Sequence, residues 1–249
     1  MSRLKGKTAV ITGGSTGIGF ETARHYLREG ARVIITGQNE ARLAEAGAKL
    51  GAGVKTVKAD VRSLDDVAKL AETVKREFNS LDILFVNAGV ATFSALEEVD
   101  ESNFDYQFDT NVKGAFFTIQ KLSGLFRQGS SIIINASTIH GKGRPQVSVY
   151  AATKAAVRSL ARSLAAELGP RGIRVNTLSP GYVPTEIQGK AGLPPEAIEA
   201  FKQSVISSVP LGRTGGADEI ARAAVFLASD DSSYITATDL PVDGGFLNV

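Results

Sequence analysis

Short apolar, β-branched runs alternate along this chain with longer stretches whose apolar positions recur every three to four residues. Thr8–Thr12, Arg32–Thr36, Val54–Lys58, Asp82–Val86, Ser130–Asn135 and Ile173–Leu178 predict strands, with a seventh at Asp239–Val242. Several of these runs are apolar throughout, as strands buried on both faces require. Between them, Gly17–Glu29, Glu40–Leu50, Leu64–Phe78, Asp105–Phe126, Val149–Leu168 and Ala217–Ala228 carry a helical period. The β-α alternation predicts an α/β fold: a doubly wound, seven-stranded parallel sheet with helices on both faces. No polar linker interrupts the pattern, so residues 1–249 read as a single domain. The stretch Ile187–Ser208 breaks the rhythm with Gly189, Gly192 and Pro194-Pro195, followed by a short amphipathic helix. An irregular segment after the sixth strand reads as a lid over a cleft.

Composition narrows the class. Hydrophobic residues make up 43% and charged residues 22%, the balance of a folded chain with a large core. The net charge of +2 is interspersed, so neither nucleic acid nor an anionic membrane is an indicated partner. There is no cysteine, which excludes disulfides, thiolate metal sites and a Cys nucleophile. The start, MSRLKGKTAVITGG, lacks an apolar run long enough for a signal peptide or a membrane span. A reducing, cytoplasmic location is the expectation.

Two motifs carry chemistry. Thr12-Gly13-Gly14-Ser15-Thr16-Gly17-Ile18-Gly19 follows the first strand and opens the first helix. Gly13 suits a tight turn, Gly17 lets backbone approach a pyrophosphate, and Gly19 lets the helix pack close on the sheet. The helix N-terminus then offers free N–H groups and the positive end of its dipole to phosphates. Further on, Tyr150 and Lys154 stand four apart in a predicted helix and share one face. An ammonium beside a phenol favours the phenolate, which pulls the tyrosine down from about 10 towards the working range of an acid/base. With two histidines, no cysteine and no acidic cluster at ligand spacing, no metal site is read.

Together with Asn87-Ala88-Gly89, Asn111, Ser137 thirteen residues before Tyr150, Pro180-Gly181 and Val242-Asp243-Gly244-Gly245, these motifs make the chain resemble the short-chain dehydrogenase/reductase superfamily from about Lys7 to Gly245. The resemblance implies hydride exchange between a nicotinamide cofactor and a ketone or aldehyde and its alcohol. It implies that Tyr150 is the general acid/base and that Lys154 lowers its pKa and holds the nicotinamide ribose. Ser137 would donate to the substrate oxygen, and Asn111 would distort its helix and serve a proton relay. Asp60, beside Val61, would bond adenine; the alternative is a helix cap. Asn87, Ala88 and Gly89 would pass the adenosine ribose, and Pro180, Gly181, Val183 and Thr185 would line the nicotinamide. Ile139, Gln146, Val147, Tyr182 and the lid would form the substrate pocket, mostly apolar, for a small neutral carbonyl. At the end of the second strand, Gly37 and Gln38 stand where an Asp would select NAD(H) or an Arg NADP(H). Without a repelling acid, and with Ser15, Gln38 and Asn39 as donors, NADP(H) is favoured and NAD(H) remains open. Secondary alcohol dehydrogenases and 3-oxoacyl-carrier-protein reductases are the nearest likenesses, with a non-catalytic dinucleotide sensor as the rival. The family also implies a homotetramer.

Overall fold

A computed structural model describes residues 2–184 and 195–249. The strands are β1 (Thr8–Ile11), β2 (Arg32–Gly37), β3 (Val54–Lys58), β4 (Leu81–Val86), β5 (Phe126–Asn135), β6 (Arg174–Pro180) and β7 (Asp239–Val242). They form one sheet in the order β3-β2-β1-β4-β5-β6-β7, and every neighbouring pair runs parallel. The helices are α1 (Gly17–Arg28), α2 (Glu40–Leu50), α3 (Leu64–Phe78), α4 (Glu101–Phe108), α5 (Gly114–Leu122), α6 (Ser148–Leu168), α7 (Pro195–Ser208) and α8 (Ala217–Ala228).

The period of two along each strand sorts the core into two layers. Val10, Ile34, Leu84 and Ile132 face α3, α5 and α6. Their neighbours Ile11, Ile35, Phe85 and Ile133 face α1, α2 and α8. β1, β4 and β6 are buried along their whole lengths; β1 and β4 are accordingly mostly apolar, whereas β6 buries Arg174, Asn176, Thr177 and Ser179. β3 is the edge, and its exposed Lys55 and Lys58 keep other strands from pairing there.

The longest predicted helix, Asp105–Phe126, is instead two helices. Asp100 accepts from the Asn103 amide at 2.7 Å and starts α4 four residues early. A π-helical turn at Asp109–Lys113 then joins α4 to α5. β5 begins at Phe126, four residues before the predicted start, through an exposed polar stretch that has no apolar signature. Among the described residues no helix is long and apolar enough to cross a membrane.

β1 connects to β2 on one side of itself, and β4 lies on its other side. At such a switch point the loops leaving the strand ends diverge, and open α/β sheets bind ligands there.

Candidate active site

A cleft of about 550 Å³ opens at the carboxyl ends of the strands, lined from the glycine turn across to α6. At one end Gly13 holds a left-handed φ of 64°, and a Cβ there would sit 2.9 Å from the Ala88 Cα. Gly19 does not line the cleft; it lets α1 start directly under the turn, where a Cβ would come within 2.2 Å of the Gly13 carbonyl. Ser15, Thr16, Gly17 and Ile18 line the wall above it, beside Gly37, Gln38 and Asn39. Asn39 caps α2, accepting from the Arg42 amide at 2.9 Å, and this brings the Arg42 side chain into the same wall.

Asn87 ties the two sides of the switch point together. Its Nδ2 donates to the carbonyls of Thr12 and Gly13, each at 3.0 Å, while its Oδ1 accepts from Asn135 Nδ2 at 2.9 Å. Asn87, Ala88 and Gly89 also line the cleft, as do Val61, Pro180, Gly181 and Val183.

In the middle, Ser137, Tyr150 and Lys154 share one wall. Ser137 leaves β5 in extended backbone and accepts from the Ile139 amide at 3.3 Å. Its hydroxyl also hydrogen-bonds the Tyr150 phenol. Lys154 lies on the same face of α6, its Nζ 5.6 Å from the Tyr150 ring centre. That ammonium donates to the Asn135 carbonyl at 2.9 Å.

The charge state differs from the sequence expectation. Burial pushes the Tyr150 phenol up to about 12, and the Ser137 bond works only partly against it. Burial also pushes the Lys154 ammonium down to about 8. Desolvation penalises both charged forms, and it outweighs the downward pull expected from Lys154 on the phenol, whose hydrogen bond goes to Asn135 instead.

Asn111 stands behind this wall, in the π turn. Its Oδ1 accepts from the Val90 amide at 2.8 Å. Its Nδ2 donates to the Val90 carbonyl at 2.9 Å and to Thr153 Oγ1 at 3.0 Å. The helix distortion expected at this residue is present, and the buried amide spends itself on the loop after β4. One helical turn earlier the buried Gln107 repeats the device, its Oε1 accepting from the Thr92 amide at 3.3 Å.

Three expected residues are placed elsewhere or not described. Asp60 does not line the cleft: the Arg62 guanidinium, two residues on, donates to its Oδ1 at 3.1 Å and its Oδ2 at 2.6 Å and holds its pKa down. Nor does Asp60 cap α3, since Ser63 accepts from the Asp66 amide there. Gln146 does not line the cleft either; its φ of 65° turns the chain, and its carbonyl accepts from the Ser94 amide at 3.0 Å. Thr185 and the first part of the expected lid lie outside the described residues.

Ile139, Val147 and Tyr182 do line the substrate end, as does Val205 of the expected lid, joined by two residues that sequence reasoning missed, Phe93 and Phe246; Tyr106, also unexpected, lines the cleft beside Arg62, whose guanidinium lies 5.1 Å from its ring centre. Phe93 meets the Tyr150 ring edge-on, centres 6.4 Å apart. Phe246 is carried back to the cleft by the left-handed Gly244 and Gly245, so Val-Asp-Gly-Gly was the available signal. This end is also less neutral than expected, because Arg144 lines it. Among the described residues the cleft wall carries Arg42, Arg144 and Lys154 and no Asp or Glu. A glycine turn at a helix N-terminus and a wall of cations without acids fit a dinucleotide phosphate.

Relatives agree with this geometry. A family model described as enoyl-(acyl carrier protein) reductase matches residues 13–247. An oxidoreductase of Sarocladium schorii is 44% identical over 100% of this chain and 99% of its own length. Galactitol 2-dehydrogenase of Agrobacterium fabrum is 37% identical over 98% of this chain and 98% of its own. A solved short-chain dehydrogenase/reductase from Brucella melitensis superposes with a TM-score of 0.92 at 29% identity, covering 98% of each chain. The chain belongs to the short-chain dehydrogenase/reductase family. It is an oxidoreductase of the carbonyl–alcohol class that uses a nicotinamide cofactor.

Proposed function

We propose that the protein is an NADP(H)-preferring reductase of a small ketone or aldehyde, with Ser137, Tyr150 and Lys154 as its working groups. The observation that carries this reading is their convergence on one wall of a cleft whose described residues include three cations and no carboxylate. The nicotinamide ring, when bound, supplies the hydride. Ser137 donates to the carbonyl oxygen and stabilises the charge that develops there. Tyr150 gives that oxygen its proton, and a phenol held up near 12 is protonated and ready at neutral pH. Lys154 keeps two N–H donors beyond its bond to Asn135, enough to hold a ribose hydroxyl, and its charge supports the phenolate left behind. Asn111 acts through the loop it pins rather than on the substrate.

The NADP(H) preference rests on Gly37. A carboxylate there would repel a 2′-phosphate; instead the wall offers Ser15, Gln38, Asn39 and Arg42. Arg144 favours a second reading, a 3-oxoacyl thioester, since the guanidinium can take an anionic carrier group. The relative named 3-oxoacyl-[acyl-carrier-protein] reductase from Chlamydia trachomatis is 36% identical over 97% of this chain.

A panel of ketones, aldehydes, a 3-oxoacyl thioester and the matching alcohols, each run with NADPH and NADH, tests this. NADPH-dependent reduction of at least one carbonyl is expected. Cofactor binding with no turnover on any member would make the protein a dinucleotide sensor instead.

A further inference from the structure

We propose that Asp239 is a positioning residue whose buried carboxylate fixes the turn bearing Ser137 against the helix bearing Tyr150 and Lys154. This rests on the catalytic reading given above for those three residues.

Asp239 opens β7 opposite Thr177 of β6. Its Oδ1 accepts from Thr177 Oγ1 at 2.7 Å and from Ser179 Oγ at 2.6 Å. Its Oδ2 faces His140 Nε2 at 2.9 Å and Arg158 Nε at 3.4 Å. The side chains of His140 and Asp239 are only 3% and 8% exposed. A carboxylate accepts and has no proton to give, so Nε2 is the protonated nitrogen of His140.

The two partners of Oδ2 come from the two catalytic segments. His140 belongs to the short 3₁₀ turn Thr138–Gly141, which follows Ser137 directly. Ser137 and Ile139 line the cleft and His140 does not, so this segment presents its cleft-lining residues on one side and its anchor on the other. Arg158 lies four residues beyond Lys154 and eight beyond Tyr150, on the same stripe of α6. One carboxylate oxygen thus meets both the Ser137 turn and the Tyr150 helix. The other oxygen is held by β6, so the carboxylate itself cannot swing. A displacement of about 1 Å between groups that must act together can cost on the order of a hundredfold in rate, so a rigid tie at this place has a kinetic consequence.

The test uses the full chain with NADPH and a ketone that it reduces, and reads kcat, KM, NADPH affinity by fluorescence, and melting temperature. His140→Ala cuts the tie on the turn side. A drop in kcat of about tenfold or more is expected, with NADPH affinity and KM within about twofold of wild type. His140→Gln places an N–H donor near the lost Nε2 and is expected to recover most of kcat. Loss of stability alone would not give that recovery. Arg158→Gln, at a half-exposed position, cuts the helix side without threatening the fold and is expected to lower kcat severalfold. Wild-type kcat in folded His140→Ala, or in Arg158→Gln if His140→Ala does not fold, overturns the proposal. So does a His140→Gln variant as slow as His140→Ala. Tyr150→Phe is run alongside. If it is inactive while His140→Ala works normally, only the positioning role falls; if it is active, the catalytic reading beneath it falls.

Discussion

Gly37 makes the cofactor preference a matter of one side chain. Its backbone is outside the left-handed region, and an added Cβ would sit 3.2 Å from Ser15 Oγ, a hydroxyl that can rotate away. Gly37→Asp therefore folds, accepts from a ribose 2′-OH and repels a 2′-phosphate. A charge-assisted hydrogen bond contributes about 1.5–3 kcal/mol, and each 1.4 kcal/mol is about tenfold. The ratio of kcat/KM for NADPH over NADH is expected to fall about tenfold or more; an unchanged ratio in a folded variant would remove Gly37 from the ribose. Lys154 allows a test on stability. Its pKa is about 8 in the fold and 10.5 for an unperturbed lysine, so between those values the unfolded chain binds more protons. The stability of the cofactor-free protein then rises with pH across that window. Lys154→Met has no charge to desolvate. It is expected to gain up to on the order of 3 kcal/mol over wild type at neutral pH, less the cost of orphaning the Asn135 carbonyl. That difference should shrink as pH climbs from 8 towards 10.5, and melting curves at several pH values check it. A difference independent of pH would contradict it. The Tyr-x-x-x-Lys spacing made this pair visible in the sequence. Its charge states were not visible, because they are set by burial, which spacing does not encode.

At the scale of elements, the loop after β4 is held by two amides one helical turn apart. Asn111 bonds both polar groups of the Val90 backbone, and Gln107 bonds the Thr92 amide. Removing either leaves a part-buried peptide group unpaired, at up to about 1–3 kcal/mol. Hydrogen exchange is expected to quicken at Val90 in Asn111→Ala and at Thr92 in Gln107→Ala, each about tenfold or more. Unchanged protection at both sites would mean that the loop is held by its packing. Apolar strands such as Leu81–Val86 and the glycine turn were legible because burial on both faces and a tight turn each leave a composition. The break between α4 and α5 was legible only through Asn111, which the family resemblance marks as a distortion, because the apolar period continues through Asp109–Lys113. The Asp60–Arg62 ion pair was not legible for a different reason, since a salt bridge to a residue two places on is a matter of side-chain geometry that no periodicity reports.

The whole molecule places one cleft across the switch between β1 and β4, with cations along it and aromatic side chains at its substrate end. Phe93 and Phe246 reach that end on loops far apart in the chain, so only the assembled fold reveals them. Phe104 and Phe116, on α4 and α5, remain 43% and 37% exposed. Large half-exposed aromatic rings suit a subunit contact, and the homotetramer that the family resemblance implies is expected to give about four times the 26.2 kDa chain mass in light scattering; a single-chain mass would contradict that expectation. The central claim is that Tyr150 moves the proton while the cleft binds the cofactor independently of it. Tyr150→Phe keeps the ring, its edge-on contact with Phe93 and the packing, and removes only the hydroxyl. Measured with NADPH and a reducible ketone, kcat is expected to fall at least about a hundredfold, while NADPH fluorescence reports unchanged binding. Turnover near the wild-type rate would contradict the account.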